Sequence, residues 1–168
     1  WLSPANDEDH WDVIEGQGSL FHASFAGVSM GLLHGAQPDA LVLCHEPTRA
    51  HMRGLPGYGL PSLEALRGLA LATARIVNPD VAVVAVAVNT AGLPEDEALD
   101  YLAGVEARIG LPAVDPFRQG AGRLVDAGAG NVTKSEIIVQ FDEEVEPGTK
   151  VWFTGFYYTL RGLSGPAS

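Results

Sequence analysis

The chain has 168 residues, 46% apolar and 18% charged, a composition that supports one globular domain with its own core and excludes general disorder. Ten basic residues against 21 acidic ones give a net charge of -11, which sets nucleic acid and membrane surfaces aside as partners but leaves room for a local anion site made of main-chain N–H groups. The longest apolar β-type run, 81–88, is far shorter than the roughly 20 residues that cross a bilayer, no signal peptide opens the chain, and the single cysteine, Cys44, has no intrachain partner, so a cytoplasmic protein is expected.

Residues 1–10 are polar and turn-rich and read as a loop or helix end. Residues 11–15 are short, β-branched and half apolar, as a first strand should be. Glu15, Gly16, Gln17, Gly18 and Ser19 follow as an acid and a glycine-rich turn. A mostly apolar stretch from Leu20 to Leu33 is long enough for a helix that Gly35 and Pro38 end. The run 40–44 is continuously apolar between turn residues, the pattern of a strand buried on both faces. After a Pro/Gly/Arg-rich loop over 47–61, Ser62 is placed to cap a helix with Glu64 in its first turn and Leu63, Leu66, Leu69, Ala70 and Val77 along one side.

Asn78-Pro79-Asp80 stops that helix, and 81–88 is the clearest buried strand in the sequence. Pro94 with Glu95, Asp96 and Glu97 starts the next helix, whose inner stripe is predicted as Leu99, Leu102, Val105 and Ile109 and whose end falls at Gly110. Residues 111–114 give a further short strand. The order β-α-β-α-β-α-β over 11–115 predicts a three-layer α/β fold with a mainly parallel sheet and right-handed crossovers. Beyond Asn131, two strand-like runs at 136–141 and 150–158 flank Pro147-Gly148, a good type II turn pair, and predict a C-terminal antiparallel hairpin. Six of the 13 aromatic residues fall in it, so it needs a covering surface, and a homo-oligomer is expected. Two parts follow: an α/β unit over 1–126 and a tail over 127–168.

Ligands of parallel sheets sit outside the carboxyl ends of the strands. That directs attention to 15–19, 44–49, 89–92 and 115–119. Glu15 can hold a metal such as Mg²⁺, and the glycines let main-chain donors approach a phosphate; the same glycines equally suit a tight strand-to-helix turn. In Cys44-His45-Glu46-Pro47-Thr48-Arg49, His45 or Glu46 can serve as a base and Arg49 can bind a carboxylate, or the segment is a core cysteine followed by a polar loop. His22, just past the glycine turn, is a second candidate base, and Arg53 a second carboxylate ligand. The histidines make no zinc spacing. Residues 128–135 imitate a phosphate loop, but Thr133 stands where glycine is required and a β-rich run follows where a helix should open.

Several blocks carry a resemblance: Trp1-Leu2-Ser3-Pro4-Ala5-Asn6-Asp7, Val13-Ile14-Glu15-Gly16-Gln17-Gly18-Ser19-Leu20, Gly31-Leu32-Leu33-His34-Gly35, Leu43-Cys44-His45-Glu46-Pro47 and Val114-Asp115-Pro116. Together, over about 1–126, they resemble the C-terminal half of the D-glutamate N-acetyltransferase family, long known only as a domain of unknown function. The resemblance implies a P-loop-like nucleotide-binding fold related to dethiobiotin synthetase, and acetyl transfer from acetyl-CoA to the amino group of D-glutamate or a related D-amino acid. Glu15, Gly16, Gln17, Gly18 and Ser19 match the phosphate-facing turn of that fold class, and Asn89 a strand-end position near a nucleotide base. The family carries its glycine-rich phosphate loop upstream of the Trp1 block and ends soon after the 120–126 region, so the chain is expected to be part of a longer protein with an unmatched tail. Two other functions fit the residues: a Mg-ATP-dependent ligase or NTPase with Glu15 on the metal, and a non-catalytic oligomerisation module built on the aromatic hairpin.

Overall fold

A computed structural model describes residues 12–15, 19–131 and 136–141. Five strands, β1 (Asp12–Glu15), β2 (Ala40–His45), β3 (Ala82–Val88), β4 (Ala113–Val114) and β5 (Glu136–Phe141), form one sheet in the order β1-β5-β2-β3-β4. Every pairing is parallel. Helices α1 (Ala26–Ala36), α2 (Leu63–Ala74) and α3 (Glu95–Ile109) connect the first four strands, and α4 (Pro116–Gln119) and α5 (Gly122–Asn131) lead from β4 back to β5. Among the described residues no helix is long and apolar enough to cross a membrane.

The direction of travel explains the layers. From β1 through β4 the chain steps one way across the sheet, so crossovers of one hand place their helices on one face; the return from β4 to β5 places its helix on the other. The two cores match this. Leu33 of α1, Leu63, Leu66 and Ala70 of α2, and Leu102, Val105 and Ile109 of α3 pack with Leu41, Leu43, Val83, Val86 and Val88. Ala121, Leu124 and Ala127 pack with Ala40, Val42, Cys44, Val84, Ala85, Ala87 and Val114. The alternation along β3 breaks at Val84 and Ala85, which both face the second core. The register accounts for it: Leu41 pairs with Val83 and Val42 with Ala85, so Val84 is an extra residue that shifts the remaining side chains by one.

Several expectations hold at the level of single residues. Ser62 caps α2 by accepting from the Ala65 N–H at 3.1 Å, Gly110 ends α3 at φ +72°, and three acids occupy the first turn of α3. Others are corrected. Helix α1 starts at Ala26 rather than near Leu20, because Ser19 Oγ accepts from Phe21 N–H and His22 Nδ1 from Ser24 N–H, local bonds that hold the chain in turns. Gly35 lies inside α1, and Gln37 takes the left-handed cap at φ +52°. Leu99 is 52% exposed; Ala98 takes its place on the inner stripe, spaced four residues before Leu102. Helix α2 ends before Val77. Helices α4 and α5 were not anticipated, and they put residues 128–131 within a helix rather than in the loop before one.

Glu136–Phe141 is a strand, as predicted, but it lies between β1 and β2, parallel to both. The antiparallel hairpin is thereby corrected at this strand, since neither of its edges is open to a hairpin partner. The second run (150–158), the Pro147-Gly148 turn, the opening loop (1–10), Trp11, and Gly16, Gln17 and Gly18 lie outside the described residues.

Candidate functional site

The loops after β2 and β3 both lead to the α1–α3 face, whereas the loop after β4 leads to α5 on the opposite face. Neighbouring strands whose loops part in this way open a crevice at their carboxyl ends, and here the parting lies between β3 and β4. Asp115 holds that point together. Its side chain is buried, and its Oδ1 accepts from the Phe117 N–H at 2.9 Å and the Arg118 N–H at 3.4 Å. Its Oδ2 accepts from the Thr90 N–H at 3.0 Å and from the Thr90 hydroxyl. Arg118 donates to the carbonyls of Leu93 at 2.8 Å and Thr90 at 3.3 Å, so the two strand-end loops are tied across the crevice. Asn89, the expected base-contacting residue, stands at the same edge; its Oδ1 accepts from the Ala91 N–H at 3.1 Å and its own N–H donates to the His45 carbonyl at 2.8 Å.

That last bond joins the β3 edge to the β2 edge, where His45 is the final strand residue. Side chains alternate along a strand, and Cys44 points into the α5-facing core, so His45 points towards α3. There its Nε2 lies 2.8 Å from Tyr101 Oη, and the two rings stack with centroids 6.0 Å apart and an interplanar angle of 17°. Glu46 turns into the following loop, where its carboxylate accepts from Arg49 Nη2 at 2.7 Å and from Thr48 Oγ1 at 3.3 Å. His45, Glu46, Arg49 and Asn89 are thus brought to one stretch of the rim.

The other predicted residues are placed apart from it. Glu15 ends β1 with its side chain exposed, and partial desolvation raises its carboxyl above the ordinary 4.5. Glu15 is level with Val42 through Val139, and His45 lies three residues further along the next strand but one. Strand spacing and rise then put the two backbones on the order of 14 Å apart. One small molecule does not bridge that gap, whereas an extended nucleotide can. Ser19 is buried, with its hydroxyl used in the turn to Phe21. His22 is buried too: Nδ1 accepts from Ser24 N–H, so Nε2 carries the proton and donates to the Arg53 carbonyl at 3.2 Å. Both ring nitrogens are therefore committed to main chain. The base role read for His22 gives way to a structural one, tying the approach to α1 against the loop that carries Arg53.

Glu15 suits a hard cation only as a single carboxylate completed by phosphate oxygens and water, because among the described residues no three His, Cys, Asp or Glu side chains gather around one point. Tyr101 was not anticipated from the sequence, and Thr90, Asp115 and Arg118 fell within the strand-end segments 89–92 and 115–119 without being assigned a role. Tyr101 is half-buried beside the core, and on a helix of this periodicity it looks like packing. Asp115 and Thr90 sit in strand-end segments that topology marks, but nothing local pairs residues 25 positions apart.

Residues 1–125 match the family described as "Domain of unknown function (DUF1611_C) P-loop domain". A protein of Tritonibacter scottomollicae named D-glutamate N-acetyltransferase is 65% identical over 127 residues, covering 76% of this chain and 38% of that protein. A protein of the same name from Pseudoalteromonas sp is 50% identical over 124 residues, covering 74% and 37%. The crystal structure of a DUF1611 family protein from Anabaena variabilis superposes with a TM-score of 0.64 at 36% identity, covering 69% of this chain and 34% of the other. The chain therefore spans less than two-fifths of the length of these relatives.

Proposed function

The chain belongs to the DUF1611 family through its P-loop domain, and from that membership we propose that it serves an N-acetyltransferase that moves acetyl from acetyl-CoA to the amino group of D-glutamate or a related D-amino acid. One observation carries the reading: two relatives named for D-glutamate N-acetylation are 65% and 50% identical to it over 127 and 124 residues. The rim supplies chemistry suited to the reaction. An amine attacks a thioester only when deprotonated, so a base must stand beside it.

His45, the last residue of β2, is the proposed acceptor of the ammonium proton, with Glu46 next to it at the start of the following loop. Arg49 and Arg53, on the loop that follows β2, are the proposed partners of the substrate carboxylates. Arg49 now rests on Glu46 at 2.7 Å, so an incoming carboxylate competes with an existing ion pair rather than ordering a loose side chain. The N–C bond forms, the C–S bond breaks, and CoA leaves as its thiol. Asn89 is assigned to the nucleotide base, and the main-chain N–H groups of Gly16, Gln17, Gly18 and Ser19 to its phosphates. Glu15 would hold a phosphate-bound Mg²⁺.

Free thiol released from acetyl-CoA in the presence of D-glutamate, followed with the folded full chain and with the full-length protein, tests this reading. Release with D-glutamate, abolished in His45→Gln, is expected. Folded protein of both lengths that releases no thiol overturns the assignment. The P-loop description favours one second reading, a Mg-ATP-dependent ligase or NTPase. ATP turnover lost in Glu15→Gln, with no thiol release, would select it.

A further inference from the structure

We propose that Asp115 is a positioning residue for the nucleotide end of the site: it holds Thr90, and through Thr90 the adjoining Asn89, in the conformation that receives the base of the cosubstrate. The inference rests on the preceding reading for the identity of the ligand, though not for the geometry.

Three observations carry it. The tie has a direction, because a main-chain N–H only donates: Asp115 Oδ2 accepts from the Thr90 N–H at 3.0 Å and takes the Thr90 hydroxyl as well, while Oδ1 accepts from the N–H groups of Phe117 and Arg118. The tie is also sealed, with Thr90 0% and Asp115 1% exposed, so water does not compete for it. Asn89 is fixed on either side of it: its own N–H donates to the His45 carbonyl at 2.8 Å, and its Oδ1 accepts from the Ala91 N–H at 3.1 Å. Thr90 is the residue between those two bonds, so a shift at Thr90 moves Asn89. Buried as it is, Asp115 reaches a ligand only in this way.

The chemistry follows from what each group can offer. A carboxylate only accepts, so its two oxygens serve two sets of N–H groups at once. An amide has one accepting oxygen and an NH₂ that only donates. In Asp115→Asn the oxygen suffices for one side. Kept on Phe117 and Arg118, where asparagine caps as well as aspartate, it leaves the NH₂ facing the Thr90 N–H, and the loop after β3 loses its anchor with no change of volume. That swap also removes the charge beside Arg118 Nε, 3.7 Å from Oδ2. Thr90→Val leaves the charge in place and removes only the hydroxyl's bond, and Thr90→Ser keeps the hydroxyl.

Amide shifts and CoA titrations of the full chain, together with the thiol-release assay, test the inference. The Asn89 and Ala91 amides are expected to shift in Asp115→Asn. CoA affinity is expected to fall about tenfold in Asp115→Asn and about threefold in Thr90→Val, the worth of one or two hydrogen bonds, and to stay within about twofold in Thr90→Ser. In thiol release the loss should lie in KM for acetyl-CoA, while kcat, and KM for S-acetylpantetheine, which lacks the nucleotide, change less than about twofold. On an Asn89→Ala background Asp115→Asn should cost less than about twofold more, since its action runs through Asn89. Equal losses for acetyl-CoA and S-acetylpantetheine, full additivity with Asn89→Ala, or unchanged Asn89 and Ala91 amides overturn the inference. Wild type that binds ATP but not CoA overturns the acetyl-CoA reading instead, and ATP against inorganic triphosphate then makes the same comparison. Wild type that binds neither overturns both.

Discussion

Gly92 and Thr48 belong to different loops, and they meet where those loops close over the rim. A Cβ built on Gly92 falls 2.8 Å from both Cγ2 and Oγ1 of Thr48 and 3.1 Å from its Cβ, closer than such atoms approach. Glycine is needed here for proximity. A retreat of Thr48 would cost the bond its hydroxyl donates to the Glu46 carboxylate that also receives Arg49. Gly92→Ala is therefore expected to destabilise by about 1–3 kcal/mol, in the range of overpacking, and to disturb the Glu46–Arg49 pair. Adding Thr48→Ala should recover much of the loss, so that the double variant is more stable than the sum of the singles allows. Urea midpoints of the four proteins check this, and strict additivity would remove the contact as the cause. The glycine's position at the end of β3 was plain from the sequence. Its reason was not, because the atom it makes room for comes from a loop 44 positions earlier.

At the scale of elements, Glu64 in the first turn of α2 carries a pH dependence of definite sign. Its carboxyl is held below the ordinary 4.5, first by a hydrogen bond to its own main-chain N–H, opposed by some desolvation, and then by Ser62 and the charge of Arg108. A carboxylate lowered in the folded state stabilises it at pH values above the unfolded 4.5 and loses that contribution as pH falls through the lower folded value. Wild type should thus exceed Glu64→Gln in stability near neutral pH, and the gap should close below 4.5. Urea titrations across that range test the sign; a gap that stays constant with pH would assign the loss to packing. Ser62→Ala should cost about 1 kcal/mol, as caps do, plus the part exerted through the Glu64 carboxylate, which fades as pH falls through its titration.

Ser62 and Glu64 could be read in advance because a cap and a first-turn acid act within a few residues. The failures have the opposite cause. Leu99 and Ala98 both satisfy a helical period with Leu102, and the choice of the smaller residue is made by the sheet beneath. Val84 is bulged within a run in which every residue is apolar, so no pattern marks the extra one. Helix α5 combines glycines with a charged outer face, and its apolar Leu124 and Ala127, with Ala121 just before it, acquire meaning only against β2, β3 and β4.

For the whole molecule the decisive feature is the place of β5. The strands β1 to β4 fall within the family match over 1–125, and β5 lies beyond it, yet β5 is inserted between β1 and β2. Local pattern predicted the strand and misjudged its company, since pairing partners are fixed by long-range closure that no window of sequence contains. The arrangement makes the site conditional on the tail. Among the described residues β1, a strand of four residues, has β5 as its one strand neighbour, so there Glu15 is held at the rim by way of Glu136–Phe141.

Ile138 pairs with Ile14 on one side and Leu41 on the other, and proline there removes an N–H from a strand flanked on both edges. Ile138→Pro is expected to cost on the order of 1 kcal/mol for each ladder bond lost, and the loss should be uneven. Amides of β1 and β5 should exchange quickly, while those of Val86 and Ala87, between β2 and β4, keep their protection. Ile138→Val, which leaves the main chain able to pair, should preserve the wild-type pattern. The same variant separates the two ends of the proposed nucleotide site: contacts through Glu15 should weaken in Ile138→Pro, whereas the His45–Tyr101 bond, made between β2 and α3, should remain. Unchanged protection of β1 amides in Ile138→Pro would mean that β1 is held by something other than β5.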